Sequence, residues 1–187
     1  MQFPINLNLA GRRVLLVGGG RIALRKAEQL LPCGADLTVI APEIVSDFDS
    51  LGVTLVRREY LSGDVEGFRL VITATGNVDV DQQIFDECES LGIWVNSADD
   101  PARCAFTLPS VHRQGSVMVT VSTGGASPAL SSRLRREIAT LIGPEYADVA
   151  ADLAARRAEV HARGQSTEDI DWQPIIDEVF AAHGVAR

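Results

Sequence analysis

The run Val14-Leu15-Leu16-Val17 passes directly into Gly18-Gly19-Gly20-Arg21-Ile22-Ala23. A short apolar run that ends in glycines reads as a strand buried on both faces. Residues 21–31 read as a helix with Ala23, Ala27, Leu30 and Leu31 inward, stopped by Pro32 and Gly34. Gly18, Gly20 and Ala23 therefore fit G-x-G-x-x-A within a strand–loop–helix frame. Gly18 permits the tight turn, Gly20 lets the backbone approach a pyrophosphate, and Ala23 lets helix and strand pack closely. The helix N-terminus then offers free N–H groups and partial positive charge to a phosphate. The frame points to dinucleotide binding; the alternative reading of a glycine triplet is a purely structural turn.

The pattern extends outward from there. Residues 37–41, 53–56, 70–74 and 93–95 read as further strands, with Trp94 read as a core residue rather than a stacking platform. Residues 79–91 read as a helix with Ile84, Cys88 and Leu91 on one face and Gly92 as its stop. Alternating strands and helices predict a parallel sheet covered on both faces. After Asp100 the pattern changes. Residues 105–111 and 117–122 read as an antiparallel pair joined by residues 112–116, with Val117, Val119 and Val121 in period two. Ser127 and Pro128 open a helix with an apolar stripe of Leu130, Leu134, Ile138 and Leu141, ended by Gly143-Pro144. Residues 146–163 and 172–183 read as two more helices. The expected fold class is α/β: a Rossmann-type parallel sheet (1–108), a small region (109–143) whose unpaired strand edges invite a second chain and so make it the expected dimerisation region, and a C-terminal helical domain (144–187).

Composition narrows the classes. The 187 residues are 46% hydrophobic and 22% charged, as in an ordinary globular protein. No apolar run approaches the ~18 residues of a membrane helix. The first nine residues lack the basic region and apolar core of a secretory signal. Cys33, Cys88 and Cys104 are scattered, with no metal-ligand spacing, which argues against a disulfide framework or a zinc site and favours a reducing cytoplasm. His112, His161 and His183 are isolated; His112 borders a basic segment. The net charge of −8 argues against general nucleic-acid affinity. Residues 101–143, however, hold five arginines and one acid, Glu137. That island reads either as a wall for an anionic molecule or acidic partner, or as a solvated helix face.

Several residues are candidates for chemistry. The second strand ends in Ala41-Pro42-Glu43. Ala41 cannot bond a ribose, whereas Glu43 can if the chain bends at Pro42. No arginine follows to meet a 2′-phosphate, which favours NAD over NADP. The fifth strand leads into Asn96-Ser97-Ala98-Asp99-Asp100-Pro101, where ligands of open parallel sheets sit. Asp99 can act there as a general acid or base, or Asp99 and Asp100 can simply shape the turn before Pro101. Ser122-Thr123-Gly124-Gly125 is a second glycine turn at a helix start, either an anion cradle or an ordinary cap. Arg133 and Arg136 share a helix face and can pair with carboxylates.

These stretches resemble a known family, the precorrin-2 dehydrogenase / sirohydrochlorin ferrochelatase module of sirohaem synthase. The resemblance is carried by Phe3-Pro4-Ile5, Val17-Gly18-Gly19-Gly20, Arg25-Lys26-Ala27, Val95-Asn96-Ser97-Ala98-Asp99, Phe106-Thr107-Leu108-Pro109-Ser110 and Val121-Ser122-Thr123-Gly124-Gly125-Ala126-Ser127-Pro128. It implies NAD-dependent oxidation of precorrin-2 to sirohydrochlorin, and in many members Fe²⁺ insertion, with iron as substrate and no permanent metal. It implies a homodimer with no nucleic-acid or membrane partner, Asp99 as the catalytic carboxylate, and cofactor contacts at Gly18, Gly19, Gly20, Arg21, Ile22, Pro42 and Glu43. Asn96, Ser122, Thr123, Gly124, Arg133 and Arg136 are the expected tetrapyrrole contacts. Some members carry a second serine where this chain has Thr123. The methyltransferase of fused members is not expected within these residues. Precorrin-2 carries eight carboxylates, and residues 101–143 are the net positive stretch able to face them. Two other classes fit the glycine loop: an NAD(H)-sensing module without chemistry, and a dehydrogenase lacking chelatase activity.

Overall fold

The computed structural model describes residues 2–98 and 100–185. The chain divides into two compact units, Met1–Thr107 and Leu108–Arg187. The first holds a five-stranded sheet of β1 (Arg13–Val17), β2 (Asp36–Ile40), β3 (Thr54–Val56), β4 (Leu70–Thr73) and β5 (Trp94–Ser97). All its pairs are parallel, in the order β3-β2-β1-β4-β5. The helices α1 (Arg21–Leu30) and α2 (Val78–Leu91) connect the strands.

The sheet is dry on both sides at its centre, where Val14 to Val17 of β1 and Leu70 to Ile72 of β4 are apolar at every position and buried. Val14 and Leu16 join Ala23 and Ala27 of α1 with Leu37, Val39, Leu70 and Ile72. Leu15 and Val17 face the other way and join Ile84 and Cys88 of α2 with Ile40, Val71 and Val95. Ile72→Ala in this fully buried strand is expected to cost about 2–5 kcal/mol. Urea unfolding should show it as a lowered midpoint at unchanged slope. Burial also pushes the Cys88 thiol up to about 12, reinforced by Glu87 and Glu89.

Two expectations fail at the sheet edge. Trp94 is 41% exposed, because β5 is an edge strand and Trp94 is its first residue. Leu91 is 51% exposed at the last turn of α2, where Gly92 turns the chain left-handed (φ 65°). Ile84 and Cys88 are buried as the helical spacing requires.

The second unit is a hairpin with three helices. The hairpin strands β6 (Ser110–Gln114) and β7 (Val117–Val121) pair antiparallel. The expected first strand, 105–111, is displaced: pairing starts at Ser110, and His112 to Gln114 belong to it. The turn is only Gly115-Ser116, with Gly115 at φ 54° supplying the left-handed step a two-residue hairpin needs. Ala105 instead donates its N–H to Val95 O at 2.8 Å, extending the edge of the first sheet. The helix α3 (Pro128–Leu141) is capped by Ser127, whose Oγ accepts Leu130 N–H at 3.2 Å. Its expected inward stripe is largely solvent-facing: Leu130 is 47%, Leu134 37% and Leu141 72% exposed. The side toward the hairpin carries the buried Ser131 instead. His112 Nε2 donates to Ile142 O at 2.7 Å, since a carbonyl can only accept. The helices α4 (Glu145–Ala162) and α5 (Gln173–Ala182) follow. They meet through an edge-on Tyr146–Phe180 pair and through Arg156, which bridges Asp152 and Glu178. Among the described residues, no helix is long and apolar enough to cross a membrane.

Candidate functional site

The chain runs from β1 outward to β2 and β3, then returns to place β4 on the other side of β1. In open parallel sheets ligands sit where the direction reverses, which here is at the carboxyl ends of β1 and β4. The glycine loop lies there. Gly18 N–H donates to Ile40 O at 2.9 Å, tying the loop to the end of β2. Gly18 holds φ 125°, and a Cβ on it would stand 2.3 Å from Ala74 O. Gly19 is buried tighter still: a Cβ there would stand 2.1 Å from Glu43 O and 2.8 Å from Ile44 Cα. Gly19 O in turn accepts Val45 N–H at 3.0 Å. Gly20 differs, because a Cβ on it would meet nothing within 4 Å. It is the N-cap of α1, and no side chain caps that helix. Open space over Gly20, with the first-turn N–H groups of α1 behind it, is the geometry that accepts a phosphate. Arg21 and Ile22 are exposed in that first turn, and Pro42 and Glu43 are exposed at the end of β2.

Asp99 lies outside the described residues. The Asp100 carboxylate accepts Ala102 N–H at 2.9 Å through Oδ1, and its Oδ2 is held by Arg103. Arg103 also donates to Gln82 Oε1 on α2 at 2.9 Å. Both oxygens of Asp100 are thus engaged in shaping the turn at Pro101. Cys104 braces the same loop, with Sγ 3.3 Å from Ser97 O and 3.1 Å from Asp100 O. Burial raises the Cys104 thiol, so it stays protonated and can donate. Asn96 is buried, and its Nδ2 donates to Phe106 O at 2.8 Å and to Cys104 Sγ at 3.3 Å. The structure therefore gives the Asn96 amide a bracing task at the loop. Arg103→Met is expected to leave Asp100 Oδ2 without its partner and lower stability by about 1–3 kcal/mol, read as a fall in the urea midpoint.

The second glycine turn belongs to the other unit. Ser122 Oγ accepts Gly124 N–H at 3.1 Å, and Thr123 Oγ1 accepts Ser127 N–H at 3.0 Å. The Thr123 hydroxyl also lies 3.1 Å from Ser127 O and 3.2 Å from Ser131 Oγ, so it clasps the turn to α3. Gly124 and Gly125 are exposed, both with positive φ. Arg133 pairs with Glu137 at 2.8 Å on an exposed face, and Arg136 is exposed as well. Among the described residues, no group of three or more His, Cys, Asp or Glu side chains is placed to hold a metal ion. Sequence reasoning missed Arg103 and Cys104, whose importance rests on contacts between segments that no local motif records; it named Gly19 as a cofactor contact but not its close packing against Glu43 and Ile44.

A family model described as putative NAD(P)-binding matches residues 5–110. A second, described as sirohaem biosynthesis protein central, matches residues 114–141. The chain belongs to the putative NAD(P)-binding family, whose model spans more than half of it, and carries the sirohaem biosynthesis central segment. It is 38% identical over 185 residues to Siroheme synthase 2 of Aeromonas hydrophila, covering 98% of this chain and 39% of the relative. It is 36% identical over 191 residues to Siroheme synthase of Acinetobacter baylyi, covering 95% of this chain and 42% of the relative. The chain thus spans about two fifths of the length of the curated relatives it matches. Its fold matches that of the solved protein SirC, precorrin-2 dehydrogenase, with TM-score 0.75 and 22% identity over 98% of this chain and 99% of that one. The first model covers the Gly18–Gly20 turn and the second covers the Ser122–Gly125 turn.

Proposed function

We propose that this chain oxidises precorrin-2 to sirohydrochlorin with NAD⁺ and then inserts Fe²⁺ to give sirohaem. The observation that carries the dinucleotide half is the open space over Gly20 at the uncapped start of α1. The residues present fit the cofactor. The backbone from Gly18 to Ile22 would hold the pyrophosphate, and exposed Glu43 would accept hydrogen bonds from ribose hydroxyls. When bound, NAD⁺ supplies the hydride acceptor. Asp99 takes the proton released with the hydride, so the substrate loses two hydrogens in all. Asp100 stays with Arg103 and keeps the turn in shape. For metal insertion, two pyrrole N–H protons leave as Fe²⁺ enters; Asp99 receives one and solvent the other.

Ser122, Gly124, Arg133 and Arg136 are the proposed contacts for substrate carboxylates. Charge supports this, since residues 101–143 hold five arginines against one acid. We also assign a homodimer, formed by the region at 109–143. The exposed Leu130, Leu134 and Leu141 on one face of α3 support it, because apolar residues clustered on a helix face favour burial.

The test is anaerobic incubation with precorrin-2 and NAD⁺, following NADH and sirohydrochlorin together by absorbance. Equal amounts of both products are expected. Nucleotide binding without turnover would overturn the proposal in favour of a sensing module. Fe²⁺ added to purified sirohydrochlorin tests the second step separately, and failure there would leave a dehydrogenase alone.

A further inference from the structure

The opposite pole of the first sheet, where the strands begin, carries a feature that the dinucleotide crevice does not use. Arg69 N–H donates to Arg13 O at 2.9 Å, one step before the register pair of Val14 and Leu70. The two arginines therefore stand side by side at the starts of β1 and β4, and Arg12 precedes them. Like charges on neighbouring strands repel. Among the described residues, none of the three forms an ion pair with a carboxylate, although the chain is acidic overall. Arg13 is accounted for: its guanidinium lies over the Phe68 ring, 4.2 Å from the centroid. A Cβ on Gly67 would come within 2.9 Å of Arg13 Nη1, so a glycine leaves room for that side chain.

Arg12 and Arg69 instead line a cavity of about 360 Å³ together with Asn6, Asn8 and Trp94. Trp94 heads β5 beside Leu70 and is 41% exposed there. The volume is at the small end of the ~300–1,000 Å³ range of ligand pockets. It suits one ring system and is too small for a macrocycle. Guanidinium groups recognise oxyanions through paired N–H donors. An indole offers a flat apolar face to an aromatic ring.

We infer that this pole is a second binding site, for a small aromatic anion whose phosphate or carboxylate is held by Arg12 and Arg69 and whose ring lies against Trp94. The site is separate from the Gly18–Ile22 loop, which sits at the carboxyl ends of the strands. The inference does not depend on precorrin-2 being the substrate.

Phenyl phosphate is a suitable probe because it joins a flat ring to an oxyanion and carries no adenosine for the dinucleotide crevice. Trp172→Phe leaves Trp94 as the one indole reporter. Titration should change Trp94 emission saturably. Inorganic phosphate should compete, whereas phenol, which lacks the anion, should not. Arg12→Ala with Arg69→Ala should weaken phenyl phosphate at least ~10-fold, the size of one lost charge-assisted pair. NAD⁺ affinity should stay unchanged. Arg12→Lys with Arg69→Lys guards against a folding defect, since it keeps both charges while losing the paired donors, and it should fall between. A linear, unsaturable response would overturn the inference. So would an affinity unaltered in the double alanine variant, or competition by phenol alone.

Discussion

Asp99→Asn is expected to slow precorrin-2 oxidation by about 10²–10⁴-fold, the usual contribution of a positioned acid or base. The substitution keeps the size, replaces one acceptor oxygen by an amide donor, and removes the negative charge together with the ability to take a proton. Affinity for NAD⁺, measured by calorimetry, should be unchanged, and so should the urea midpoint. Asp100→Asn is the matched control. Its two oxygens serve Ala102 N–H and Arg103, so its loss should lower stability while turnover of the folded fraction persists. Steady-state rates beside unfolding curves separate the two neighbours. Full turnover in Asp99→Asn would move proton removal to another group.

Gly20→Ala is expected to weaken NAD⁺ binding by about 10–100-fold, the cost of losing one hydrogen bond to a charged group. Nothing in the protein opposes the new methyl, since no atom lies within 4 Å of it and φ −86° suits any residue. The fold should therefore survive intact, and the methyl should take up space the phosphate needs. Gly19→Ala should behave in the opposite way. Its Cβ would collide with backbone at Glu43 and Ile44, which cannot move aside as a side chain does. A loss of about 3 kcal/mol or more is expected. Calorimetric titration paired with thermal unfolding distinguishes a binding defect from a folding defect.

The sheet was legible because its signal is local. Val14 to Val17 are apolar at every position, and only a strand covered on both faces tolerates that. The same logic placed α1 and α2 and the Ser127 cap. What escaped depends on neighbours distant in the chain. Trp94 reads as core by composition, but the strand it opens lies at an edge, and strand order is not written in a single segment. The α3 stripe has helical spacing, yet spacing says only that Leu130, Leu134 and Leu141 share a face, not that this chain covers it. The hairpin turn was misplaced because residues 112–116 are polar throughout. Pairing was decided by Gly115, whose left-handed step aligns Gln114 with Val117. At the site, the two glycine turns were visible as motifs. The brace formed by Asn96, Arg103 and Cys104 was not, since it joins β5, α2 and the segment after the turn.

The coupling of Gly19 to Val45 and to the Glu43–Ile44 backbone bears on how coenzyme choice can change over evolution. The segment that would meet the ribose is welded, main chain to main chain, to the loop that would meet the phosphates. Of residues 41–45, Pro42 and Glu43 are exposed, and Glu43 is the one with a polar side chain. Selectivity between the two nicotinamide coenzymes can therefore drift by exchange of single side chains, while an insertion or deletion between residues 41 and 45 would spoil both ends of the grip at once.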